Sequence, residues 1–173
     1  MGPYTATSFT ALARRQLSFG ARRALQISSA GGDAALAASL MPLVQTGSHC
    51  ATHTPDGANQ ATFGIVSAGQ MLIGRTVITG KAVVTGRFGQ LDARLWDLNP
   101  RTGTEQLIDR GAYRLGDNQK GSFRFTLDGN GWKFPRGHRI VVELLGRDAP
   151  TYGPSPTTFS ATLSKVNVSL PVR

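Results

Sequence analysis

Residues 91–115, LDARLWDLNPRTGTEQLIDRGAYRL, read as two strands joined by a tight turn. In Leu91-Asp92-Ala93-Arg94-Leu95 every second side chain is apolar, so one face can meet a core while the other meets solvent. Asn99-Pro100 starts the turn, and Gly103 supplies the positive φ that closes it. The same two-residue rhythm recurs downstream. Phe123, Phe125 and Leu127 alternate with Ser122, Arg124 and Thr126, and Ile140, Val142 and Leu144 alternate with Val141, Glu143 and Leu145. Phe159, Ala161 and Leu163 repeat it, as do Val166, Val168 and Leu170. Turns fall at Asp128-Gly129-Asn130-Gly131, Arg136-Gly137 and Ser164-Lys165, and no crossover helix separates the strands. About eight short strands so punctuated predict a mainly β chain, an antiparallel two-sheet sandwich of jelly-roll type over 70–173. The run 75–84 is also strand-like, with Gly80 marking a bulge or a break.

Upstream the pattern changes. Thr7 or Ser8 can cap a helix reaching about Phe19, with Phe9, Leu12, Ala13 and Gln16 on one face and Gly20 as its stop. A second short helix fits 33–41, capped by Asp33 and ended by Pro42. Residues 1–45 are therefore expected to be a short helical segment laid against the sheet. Residues 46–69, punctuated by Gly47, Pro55, Gly57, Gly64 and Gly69, read as a loop-rich connector with one short strand at 61–66. Arg14-Arg15-Gln16-Leu17-Ser18-Phe19 has the arginine pair of an export or transit leader. Gly31-Gly32-Asp33 interrupts the apolar stretch such a leader needs, so the segment is read as part of the fold.

Composition narrows the classes further. A chain of 173 residues is long enough to bury a real core, and with Cys50 as its one cysteine it cannot rest on internal disulfides. No run approaches the roughly 20 apolar residues of a membrane helix, so no membrane partner is expected and the compartment, cytoplasmic or secreted, stays open. A net charge of +9 invites a nucleic-acid reading. The charge is not concentrated, however. Apart from Arg14, Arg15, Arg22 and Arg23, the basic residues are scattered among the acids, with no Lys/Arg tract and no aromatic-rich RNA-binding motif. A mildly basic solvated surface with no specific nucleic-acid partner is the reading that follows.

An ordered series of short motifs carries more. It begins with Gly74-Arg75-Thr76-Val77-Ile78-Thr79-Gly80, then Ala93-Arg94-Leu95-Trp96-Asp97 with Arg110-Gly111-Ala112-Tyr113-Arg114. It continues through Asn130-Gly131-Trp132-Lys133-Phe134 and Gly137-His138-Arg139-Ile140 to Glu143-Leu144-Leu145-Gly146-Arg147-Asp148-Ala149-Pro150. Together these resemble the C-terminal portion of the cocaine esterase and X-prolyl dipeptidyl-peptidase family of α/β-hydrolases. Upstream, Ser28-Ser29-Ala30-Gly31-Gly32-Asp33 and Cys50-Ala51-Thr52 are similar to what precedes that portion in some bacterial members. There the portion is a galactose-binding-like jelly roll lying against the catalytic domain. The resemblance implies a partner, either a catalytic α/β-hydrolase domain or a second copy, met through an apolar sheet face that helps wall a substrate cleft. It does not bring the catalysis with it. The family's serine sits on a strand–turn–helix elbow, and no Gly-x-Ser-x-Gly occurs in this sequence. A non-catalytic accessory domain without cofactor is thus the leading expectation.

Three sets of residues compete with that reading. Trp96, Trp132 and Tyr152 are large aromatics that would form the stacking platform of a free-standing carbohydrate-binding module. Trp96 is out of phase with Leu91, Ala93 and Leu95 and so faces the other side of its strand; packing at a core or an edge is the plainer role for such a ring. His49, Cys50, His53 and Asp56 have metal-ligand types and spacing, but a loop does not fix their geometry and no second cysteine follows. They are weak candidates for a zinc site or a small metal-dependent hydrolase, and no metal is expected. His138 opens a strand after Gly137 and is expected to end the turn or bond the backbone. A triad of His138, Asp97 and some serine is conceivable in residue types, and nothing in the spacing supports it.

Overall fold

The computed structural model describes residues 7, 10–30, 50–52 and 60–173. A single 3-10 turn at Thr10–Leu12 precedes twelve strands. They are β1 (Arg15–Gly20), β2 (Leu25–Ser28), β3 (Cys50–Thr52), β4 (Gln60–Val66), β5 (Met71–Gly74) and β6 (Val77–Gly86), followed by β7 (Gln90–Asn99), β8 (Thr104–Arg114), β9 (Lys120–Thr126), β10 (Asn130–Lys133), β11 (Arg139–Leu145) and β12 (Phe159–Val172). They form two antiparallel sheets packed face to face. One has the order β10-β5-β12-β6-β9, with β1 and β2 also on β12; the other runs β3-β8-β7-β11-β4. Among the described residues no helix is long and apolar enough to cross a membrane.

The alternating residues of the sequence build the core between the sheets. Leu91, Ala93 and Leu95 of β7 and Ile140, Val142 and Leu144 of β11 face Ile78, Phe123, Leu163 and Val168 of the seven-stranded sheet, all in one buried cluster. Tyr113 stacks on Phe125 with centroids 5.6 Å apart. Gly80 breaks nothing: β6 runs through it in register with β9, and a Cβ there would lie 2.7 Å from the Phe123 ring, which leaves room for glycine alone. The irregularity falls instead on the partner strand, between Ser164 and Asn167, where Lys165 takes φ +51°.

One expectation is corrected. The helix ending near Phe19 does not form: residues 15–20 are strand β1, paired along Asn167–Val172 of β12. The run RQLSFG fits a period of two as well as of 3.6, burying Phe19 while Arg15, Gln16 and Ser18 stay exposed. A helix of about twelve residues is marginal alone, whereas the open edge of β12 offers partners to the backbone groups on one side of the strand and a core site for Phe19. β1 and β2 belong to one sheet and β3 and β4 to the other, so both sheets take strands from before residue 70. The strand expected at 61–66 is present as β4. The expected helix at 33–41 lies outside the described residues, as do His49, His53 and Asp56. Cys50 lies in β3, paired with Gln106.

The outer faces of the two sheets differ. On the seven-stranded sheet Lys81, Thr85, Lys120, Ser122 and Arg124 point to solvent, with Val83 among them. On the five-stranded sheet Asp92, Arg94 and Trp96 of β7 and Val141, Glu143 and Leu145 of β11 are all buried. These two strands are therefore covered on both sides; in β11 the outer-face Val141 and Leu145 are themselves apolar, whereas β7 buries Asp92 and Arg94 there.

Candidate functional site

One end of the sandwich carries a cleft of about 300 Å³ between the β7–β8 hairpin turn and the turn that passes from β10 to β11, lined by Asn99, Pro100, Arg101, Arg136, Gly137 and His138. Behind His138 stands Asp97, which does not itself line the cleft. By alternation Asp97 continues the core face of β7, but it lies where the apolar layer ends, and both its oxygens accept hydrogen bonds. Trp132 of β10 donates Nε1–H to Oδ2 at 2.9 Å, and His138 Nδ1 lies 2.8 Å from Oδ1. A buried carboxylate thus ties the two sheets together and fixes the imidazole. The backbone holds the same turn, with Ser67 N–H donating to His138 O at 2.7 Å and Gly137 N–H to Ser67 O at 2.9 Å. His138 therefore does end a turn, and in addition it has the acid partner that spacing alone did not support. No serine, threonine or cysteine lines the cleft among the described residues, so the pair has no nucleophile beside it.

A second polar constellation lies on the covered face of the five-stranded sheet. Arg94 donates from Nη1 to Glu143 Oε2 at 3.2 Å and from Nε to Asp148 Oδ1 at 3.2 Å, with Nη2 also on that oxygen. All three side chains are inaccessible to solvent. Trp96 donates Nε1–H to Glu143 Oε2 at 3.0 Å. Nearby, burial pushes the Asp92 carboxyl up to about 7, with the charge of Asp148 adding to the effect against a hydrogen bond from Gln90. Burial likewise raises Glu105 to about 7, helped by the charge of Glu143, and Asp109 to about 6 despite backbone donors from Gly129 and Arg110. Such shifts mark functional sites when they face a cleft. Asp92 and Glu105 are 0% and 1% exposed, so their shifts report burial.

The expected aromatics separate. Trp96 is on the face opposite Leu95, as its phase requires, but it is fully buried and offers no open ring. Trp132 is half-buried with its indole N–H committed to Asp97. Tyr152 is half-buried, and burial followed by the charge of Asp128 raises its hydroxyl to about 12. The three do not share a surface groove. The exposed large apolar side chains, Val66, Val83 and Phe88, are dispersed and make no sheet-wide patch among the described residues. No group of His, Cys, Asp and Glu able to hold a metal occurs among those residues.

The sequence matches no protein-family model and no curated protein. Solved structures do match the fold. An α-amino acid ester hydrolase aligns over 68% of this chain with TM-score 0.57 and 20% identity. An aminopeptidase from a marine sediment archaeon, Thaumarchaeota archaeon, aligns over 66% with TM-score 0.54 and 13% identity. A CocE/NonD family hydrolase from Staphylococcus aureus aligns over 66% with TM-score 0.52 and 12% identity. The sandwich resembles one part of each of these hydrolases. The match takes in 26%, 26% and 30% of their respective chains, so this chain spans well under two thirds of their length. The similarity read from the motifs of residues 74–150 thus reappears in the fold.

Proposed function

We propose that this chain is a non-catalytic accessory domain, similar to the C-terminal jelly roll of cocaine esterase-type and X-prolyl dipeptidyl-peptidase-type serine hydrolases, and that it packs on a catalytic α/β-hydrolase domain. The observation that carries the reading is the shared fold with about a quarter of three hydrolase chains. The cleft chemistry agrees with it, because the His138–Asp97 pair stands without a hydroxyl or thiol among its lining residues. The contact would differ from the apolar sheet face anticipated above. With one outer face polar and the two central strands of the other already covered, a docking surface of turns and charged side chains fits better, and contacts between domains of one protein are commonly of that polar kind. The test is a turnover screen of the purified chain on aryl esters and aminoacyl and prolyl peptides. Background rates are expected. Turnover that survives repurification and disappears with a serine-directed inhibitor refutes the reading.

A second reading, a free-standing carbohydrate-binding module, draws on a different groove. Phe88, Gln90, Tyr113, Arg114, Pro154 and Pro156 help line a shallow site of about 320 Å³. Phe88 is 41% exposed there, held at φ +54° with the guanidinium groups of Arg87 and Arg114 over its ring. Trp132 and Tyr152 would have to extend that surface. Saturable binding of a neutral oligosaccharide that is lost in F88A supports this second reading over the first.

A further inference from the structure

We propose that the cleft between the 99–101 and 136–138 turns binds a small oxyanion, with Arg101 and Arg136 supplying the charge and His138 Nε2 completing the site. Two turns far apart in sequence are held side by side: the 99–103 turn closes the β7–β8 hairpin, and the 134–138 turn passes from β10 of one sheet to β11 of the other. The first is fixed by Asn99, whose Oδ1 accepts from Arg101 N–H at 3.0 Å and whose backbone O accepts from Gly103 N–H at 2.9 Å. The second is fixed through Ser67, whose side chain is itself bonded to Gln70 at 3.0 Å and to Phe134 O at 3.2 Å. Rigid turns make a defined cleft.

The charge of this cleft is one-sided. Among the described residues neither Arg101 nor Arg136 makes an ion pair, and no acidic side chain lines the cleft. The nearest carboxylate, Asp97, stands behind His138 with both oxygens already engaged. Two guanidinium groups without a counter-charge in a concave site match an anion with several oxygens, since the planar fork meets such oxygens in pairs. His138 adds orientation. With Nδ1–H given to Asp97, Nε2 is the nitrogen left for a ligand. Neutral, it accepts the O–H of hydrogen phosphate; protonated, it donates to a phosphate or carboxylate oxygen. This binding role is independent of the accessory role proposed above, because the turnover screen and an anion titration can fail separately.

The experiment titrates inorganic phosphate, and separately acetate, into the full chain at constant ionic strength while the His138 ring resonances are followed by NMR. Saturable movement of those resonances is expected. R101A and R136A should each weaken binding about tenfold, the loss of one charge-assisted contact, and the double variant should abolish saturation. Both arginines are exposed, so thermal midpoints should be unchanged, and a folded double variant makes the comparison decisive. Saturation by phosphate alone assigns a phosphate-bearing ligand, and equal saturation by acetate assigns a carboxylate. No saturation by either at tens of millimolar, or undiminished affinity in the folded double variant, overturns the proposal.

Discussion

Replacing Arg94 with methionine removes the cation from the most deeply enclosed charge cluster of the molecule. Arg94, Glu143 and Asp148 are each 0% exposed, and the guanidinium is shared between the two carboxylates. Methionine keeps the apolar length of the side chain, so the loss is electrostatic and not a large void. Glu143 retains the Trp96 N–H, while Asp148 loses the donors that shield its Oδ1. Breaking a buried pair from one side costs about 3–5 kcal/mol, because an uncompensated charge stays behind. For a chain of this size each kcal/mol moves the thermal midpoint by roughly 2–4 °C, so R94M should lower it by about 10 °C at pH 7. Asp148 keeps Arg110 Nη1 at 4.0 Å as its remaining cation, and adding D148N removes its charge and should recover part of the loss. Circular dichroism melts of wild type, R94M, R94M/D148N and the exposed control R87M measure this. If R94M melts within the small shift of the R87M control, the buried triad is not what holds this face and the reasoning fails.

Further outcomes follow from the same geometry. Asp92, Glu105 and Asp109 hold protons in the folded state at pH values where the unfolded chain has released them, so stability should fall as pH rises from about 4 to about 7. D92N should flatten that slope and raise the midpoint at pH 8; an unchanged pH profile contradicts the assignment. Ile27 of β2 is 1% exposed, so I27A should cost about 2–5 kcal/mol in chemical denaturation. A neutral result would mean the N-terminal strands are not part of the sandwich. In G146A the new Cβ would lie 2.3 Å from Ser28 O, a backbone atom, and should destabilise by about 1–3 kcal/mol as the two chains are pushed apart. Wild-type stability for G146A in the same measurement would show that β2 does not pack there.

The sandwich was legible because alternation over residues 91–95, 123–127 and 140–144 is a local signal that the core only has to accept. The N-terminal strands were not. RQLSFG carries both periods, and its choice of strand depends on the free edge of β12, roughly 150 residues away, which no local window contains. The covered face of β7 was hidden for a related reason. Asp92 and Arg94 read as solvent-facing, and their burial depends on Glu143 and Asp148 arriving from β11 and the loop after it. Trp96 falls on the face its phase requires and packs there, the plainer of the two roles its ring allows. At the cleft, His138 and Asp97 were visible as residue types, but 41 positions separate them. Register does the rest: Ile140 stands opposite Asp97 in the β7–β11 ladder, so the turn before β11 arrives beside that carboxylate. Arg101 and Arg136 gave a weaker signal, that of single basic residues in Pro- and Gly-containing turns, which marks no site until two such turns are neighbours.

The central claim is that this sandwich carries no reactive centre of its own, and intact-mass analysis after treatment with a fluorophosphonate probe tests it most directly. The account predicts an unmodified mass with the probe in excess, under conditions where a control serine hydrolase is fully labelled. A stoichiometric adduct on one serine, lost on denaturing the chain beforehand and accompanied by loss of ester turnover, would contradict it.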